Sequence, residues 1–125
     1  MRRTTLFLLA LTASLWSVSA PGKDINLPGY AVINFKAGQL SQDVHFINPQ
    51  DNPCAFRITI TLEDGSTVWT ADELLAPGDV LRSINLTRKL EAGTYTNAVM
   101  KYECYNLEDM ARLNGAEIKC TLAVE

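Results

Sequence analysis

Cys54-Ala-Phe-Arg-Ile-Thr-Ile-Thr-Leu62 decides the fold. Laid out as an extended chain, it puts Cys54, Phe56, Ile58, Ile60 and Leu62 on one side and Ala55, Arg57, Thr59 and Thr61 on the other. Side chains of a strand alternate with period two, so this segment has one face for a core and one for water, as strands of antiparallel sheets do. The period repeats on both sides of it. Toward the C-terminus, 115–124 turns Ala116, Ile118, Cys120, Leu122 and Val124 inward. The stretch 95–105 turns in Ala98, Met100, Tyr102 and Cys104 and turns out Lys101 and Glu103. Shorter candidates are 30–35, 42–48, 67–70 and 80–86.

Turn residues separate these runs: Asn48-Pro49, Asp51-Asn52-Pro53, Asp64-Gly65, Pro77-Gly78-Asp79, Ala92-Gly93 and Asn114-Gly115. About seven short strands at this spacing predict an all-β fold, a single immunoglobulin-like antiparallel β-sandwich with Greek-key connections over residues 30–125. Only 71–75 reads as one helical turn. Leu90-Glu-Ala-Gly93-Thr-Tyr95 opens the long sixth strand. A Tyr just past a Gly turn matches the tyrosine corner, whose hydroxyl bonds back to upstream backbone, so Tyr95 is assigned that part.

The first twenty residues read differently. Arg2 and Arg3 precede an apolar run over 6–18, and no acidic residue comes before Asp24. A charged start, a short apolar centre and small residues at the end make a secretion signal over residues 1–20. Val18-Ser19-Ala20 fits the small-residue cleavage rule, although Pro21 is disfavoured just after a cut and cleavage after Ser19 avoids it. An uncleaved anchor is the alternative, but the run falls short of the ~20 apolar residues of a span. Residues 21–29 read as an extended linker. The expected location is secreted, or the extracellular face of the cell envelope, with membrane contact only if the signal stays attached.

Without Arg2 and Arg3, nine basic residues face fourteen acidic ones, and no basic cluster exists. Nucleic acid and anionic membrane surfaces are therefore poor partners.

Export makes a disulfide feasible, and the chain has three cysteines. With 54–62 and 95–105 as antiparallel neighbours, the start of one strand lies beside the end of the other, which places Cys54 and Cys104 together, both inward. In the expected closing hairpin, Cys104 faces Ala116 and Cys120 faces Met100. The reading is a Cys54–Cys104 bridge and a free buried Cys120. The bridge would close a loop of about 50 residues, a contribution of roughly 3–4 kcal/mol in the chain-entropy account. A Cys104–Cys120 bridge in another register and three unpaired thiols are the rivals. The inter-sheet bridge and buried third-strand Trp of antibody domains are absent.

Groups for catalysis do not converge in the sequence. His45 is the sole histidine, opposite in parity to Val44 and Phe46, and no nucleophile–base pair can be read near it. No Cys-x₂-Cys pair suggests zinc. Glu63-Asp64, Asp72-Glu73 and Glu108-Asp109 lack the ligand spacing of a calcium loop and read as solvated turns. The loop 48–53 is the residual candidate for a ligand contact, or simply a rigid turn. Asn85-Leu86-Thr87 fits a glycosylation sequon. No enzyme activity and no cofactor are expected.

The chain resembles a family of small exported or membrane-anchored immunoglobulin-like proteins of Gram-positive bacteria. The matching residues are Pro28-Gly29, Phe46-Ile47-Asn48-Pro49, Leu75-Ala76-Pro77-Gly78, Leu90-Glu91-Ala92-Gly93-Thr94-Tyr95 and Asn114-Gly115-Ala116. The resemblance covers residues 28–125 and its motifs are mostly turn chemistry, so it implies a fold and a location and not a ligand. Cys120 departs from its pattern, where an apolar residue is more usual.

Three functions compete: a non-catalytic secreted or surface binding domain of unknown ligand, a structural subunit assembling by strand exchange through an edge strand, and a small inhibitor or accessory factor of an exported enzyme. Tyr30 and Tyr105 are expected on the surface as binding aromatics.

Overall fold

The computed structural model describes the backbone of residues 13–20 and 23–125, with side chains from Ile25 onward. Residues 1–12, with Arg2, Arg3 and much of the apolar run, and Pro21-Gly22 beside the expected cleavage point lie outside the described residues.

The described residues are all-β, with nine strands and no helix: β1 (Ala13–Ala20), β2 (Lys23–Tyr30), β3 (Val32–Phe35), β4 (Ser41–Ile47), β5 (Cys54–Thr61), β6 (Thr67–Thr70), β7 (Val80–Asn85), β8 (Gly93–Asn106) and β9 (Arg112–Val124). One sheet runs β3-β9-β8-β5-β6, a second is the pair β4-β7, and β1-β2 is an antiparallel two-stranded sheet. A single apolar cluster lies between these layers. Phe46 of β4 packs at a tilt against Trp69 of β6 with ring centroids 5.8 Å apart, and Phe56 meets the edge of Tyr102 at 5.0 Å.

The alternating positions of β5, β8 and β9 form the floor of this core. Phe56, Ile58, Ile60, Ala98, Met100, Tyr102, Ile118, Leu122 and Val124 are all buried. Each large apolar side chain so removed from water contributes about 1.5–3 kcal/mol, which fixes the register wherever one face is buried.

Four features depart from the sequence reading. The stretch 21–29 is not a linker outside the domain, since Lys23–Tyr30 forms β2 and its Ile25 and Leu27 are fully buried. Their alternation is that of a core strand. Second, the five-stranded sheet is not wholly antiparallel. After Ala31 the chain joins β9 in parallel, Val32 opposite Thr121 and Phe35 opposite Val124. So many residues separate the two strands that the long connection a parallel pair requires is available.

Third, the closing hairpin is shifted. Ala116 pairs with Tyr102 and Cys120 with Ala98, because the hairpin turns more tightly than expected, with Tyr105 opposite Arg112, and a bulge between Tyr102 and Cys104 then absorbs one extra residue of β9. Gly115 lies in it, so close to the Tyr102 carbonyl that no Cβ fits. Fourth, 71–75 is not a helical turn. Ala71 donates to the Ile58 carbonyl at 2.9 Å, and Phe56 and Leu75 exchange both backbone bonds. The chain thus continues along the edge of β5 beyond β6 before crossing to β7.

Candidate functional site

The three cysteines are thiols, all buried, which corrects the expected Cys54–Cys104 disulfide. The register explains this: Cys104 lies opposite Phe56 and Cys54 opposite Asn106, so the two are diagonal rather than directly facing. They still touch. The Cys104 thiol lowers the pKa of Cys54 by hydrogen bonding, and the same contact, with burial, raises that of Cys104. Cys120 stands apart, its thiol pushed up to about 11 by burial. Three thiol equivalents are therefore expected on titration with an aromatic disulfide reagent in denaturant, and none rapidly in the native protein. One equivalent would mean that the bridge exists.

Tyr30 does not lie on the surface. It is 7% exposed, packs at a tilt against Phe46 with ring centroids 5.4 Å apart, and its oxygen accepts from the Ile47 amide at 3.2 Å. It follows buried Pro28 and Gly29 into the core rather than opening an exposed strand. Burial pushes its phenol up to about 12, against the opposing effect of the Ile47 amide. The folded state therefore holds this proton more tightly than the unfolded chain, whose tyrosines titrate near ~10. The stability this represents is whole below that pH and is lost as pH rises through about 12. Urea midpoints should fall across this window, and Tyr30→Phe should make the fall shallower; an unchanged slope would refute the assignment.

Tyr105 is half-buried on the outer face of the five-stranded sheet, with the Arg112 guanidinium 5.7 Å from its ring centre. Arg112 also pairs with Glu103 at 3.5 Å. Tyr95 donates its hydroxyl to the Glu91 carbonyl at 2.8 Å. His45 is half-buried within a bulge of β4, beside a shallow hollow between β3 and β4. Among the described residues no group of His, Cys, Asp and Glu is placed to hold a metal ion.

The loop 48–53 is an internal brace. Asn48 and Asn52 are 1% and 4% exposed. The Asn52 side chain pairs with β2 as a strand would: Asn26 donates its amide to Oδ1 at 2.8 Å, and Nδ2 donates to the Asn26 carbonyl at 2.7 Å. Nδ2 also reaches Asn48 Oδ1 at 2.7 Å, and Asn48 Nδ2 donates to the carbonyls of Cys54 and Leu75. Gln42 repeats the device, exchanging both bonds with the backbone of Lys36. These amides face inward, so their oxygens are not offered to a ligand. Proline after each of Asn48 and Asn52 was a local signal that the loop is stiff; its burial had no signal.

The feature absent from the sequence reading is a groove at the open edge between the layers. Because 71–75 stays on β5 and does not pair with β7, the second sheet stops at β4-β7. A cavity of about 570 Å³ remains between the unpaired side of β7 and the segment after β6. Phe56, Ile58, Trp69 and Ile84 form its apolar floor, and Asp72 and Glu73 stand exposed on its rim. No family model, no curated protein and no solved structure matches this chain.

Proposed function

We propose that the protein is an exported, non-catalytic binding module, an immunoglobulin-like β-sandwich with Greek-key connections, working at the cell surface or beyond it. The observation that carries this reading is the unfinished second sheet. A rigid framework, braced by buried amides, leaves an apolar groove open beside a strand that, among the described residues, pairs only with β4. Apolar floors with a few polar groups at the rim are the usual form of binding sites. The signal-like N-terminus and the resemblance to small exported Gram-positive proteins support the location.

A second reading, a structural subunit built by strand exchange, draws on β2. All eight residues of β1 pair with it. Removing residues 1–20 as a signal takes β1 away and leaves that edge of β2 free to accept a strand from another copy.

Light scattering on the secreted protein, coupled to size-exclusion chromatography with and without reductant, separates the two. A monomer is expected. A ladder or fibre that survives reduction would replace the binding-module reading with strand exchange, and a dimer lost on reduction would mean an intermolecular disulfide.

A further inference from the structure

The groove beside β7 has a chemistry that selects its occupant. Three carboxylates, Asp72, Glu73 and Asp79, line it, and no Lys, Arg or His does. Asp79 is engaged by the Ala76 amide at 2.9 Å. Asp72 and Glu73 are exposed at the rim, above the apolar floor. Strand β7 supplies the third element. It is six residues long, among the described residues it pairs only with β4, and its other edge therefore presents backbone donors and acceptors to the groove. Six residues of strand span about 20 Å.

We propose that this groove binds an extended segment of a partner protein, one that alternates basic and apolar residues, by adding it to β7 as a third strand. The inference rests on the binding-module reading and names its ligand class. Backbone bonds to β7 supply affinity common to any extended peptide, and the side chains supply the choice. Apolar side chains of the peptide cover the floor of Phe56, Ile58 and Trp69. Cationic ones meet Asp72 and Glu73, at a rim where charge complementarity decides between partners. A second copy of this chain is a poor occupant. The protein carries a net charge of −3, and removal of Arg2 and Arg3 with the signal makes it more acidic. Its own extended candidate, β2, is already held in the core by Ile25 and Leu27.

The test uses the full chain and three fluorescent heptapeptides, followed by anisotropy. The first alternates Lys and Val, the second alternates Glu and Val, and the third is the Lys–Val peptide with alternate amides N-methylated. Saturable binding of the first is expected, at least tenfold tighter than the second and weakened at least tenfold by methylation. The double variant Asp72→Asn, Glu73→Gln alters only exposed side chains and should lose most of the preference for Lys over Glu while keeping its thermal midpoint. No saturable binding by any peptide, equal binding of the Lys and Glu peptides, or indifference to methylation would overturn the proposal. Dimers in light scattering that the Lys–Val peptide dissociates would assign the groove to a second copy and overturn it as well. A monomer that ignores the peptides removes this inference and leaves the binding-module reading standing, whereas a polymer removes both.

Discussion

Gly115→Ala is expected to destabilise the protein by about 3 kcal/mol, a fall in melting temperature of roughly 10 °C. A Cβ at this position would lie inside the contact distance of the Tyr102 carbonyl oxygen and 3.1 Å from the carbonyl carbon. Both obstacles are backbone, so no side chain can swing aside. The strands must separate locally, and the separation falls at the bulge that sets the register of β8 against β9. Register carries the cost beyond the site. Ile118, Cys120 and Leu122 keep their inward direction only while Ala116 stays opposite Tyr102. Gly38→Ala is the control. Gly38 has φ of +72° with nothing near its added Cβ, so only backbone strain of about 1–2 kcal/mol is at issue. If chemical denaturation finds Gly38→Ala the more damaging change, the close approach at Gly115 is not what holds the hairpin.

Why the sequence predicts some of this and not the rest follows from what each signal measures. Alternation in 54–62, 95–105 and 115–124 reports which face meets the core, and burial at these positions agrees because hydrophobic transfer dominates there. Alternation says nothing about which residue faces which across a hairpin. A tighter hairpin turn, with Tyr105 opposite Arg112, brings Cys120 opposite Ala98 rather than Met100, and the two-residue offset of Cys54 from Cys104 turns a facing pair into a diagonal one. Ile25 and Leu27 carried the correct pattern but stand next to the signal-like segment, and their companions Asn26, Pro28 and Gly29 read as linker. Asn48 and Asn52 look like ordinary turn residues, and only tertiary structure shows that their amides replace a missing strand. The groove is a gap between elements, and no residue of 71–75 announces that it will follow β5 rather than pair with β7.

The second large effect is expected from that replacement. Asn52→Ala should cost about 2–4 kcal/mol, because the change removes three hydrogen bonds and strips partners from groups that stay in the interior. The Asn26 amide loses its 2.8 Å acceptor, and the Asn26 carbonyl and Asn48 Oδ1 lose their 2.7 Å donor. Asn52→Asp should be no better, since it retains an acceptor for Asn26, loses both donations and places a charge where the residue is 4% exposed. Asn34→Ala, on an exposed position of β3, should stay within about 0.5 kcal/mol of the parent. The loss should also be uneven. β2 is held to the rest by Asn52, by the Tyr102 hydroxyl bonded to the Pro28 carbonyl at 2.6 Å, and by the burial of Ile25 and Leu27. With Asn52 gone, hydrogen exchange at Asn26 should quicken far more than at Met100 in β8. Uniform acceleration across both strands would mean that β2 has no separate attachment. The network reaches further, because Asn48 Nδ2 also holds the Leu75 carbonyl at 2.8 Å and Leu75 lines the groove. Freed from Asn52, Asn48 retains its own donations to Cys54 and Leu75, so Asn52→Ala should loosen β2 while leaving the groove wall in place. Asn48→Ala should disturb the groove wall directly. That difference gives a way to tell a stability defect from a binding defect on the same framework.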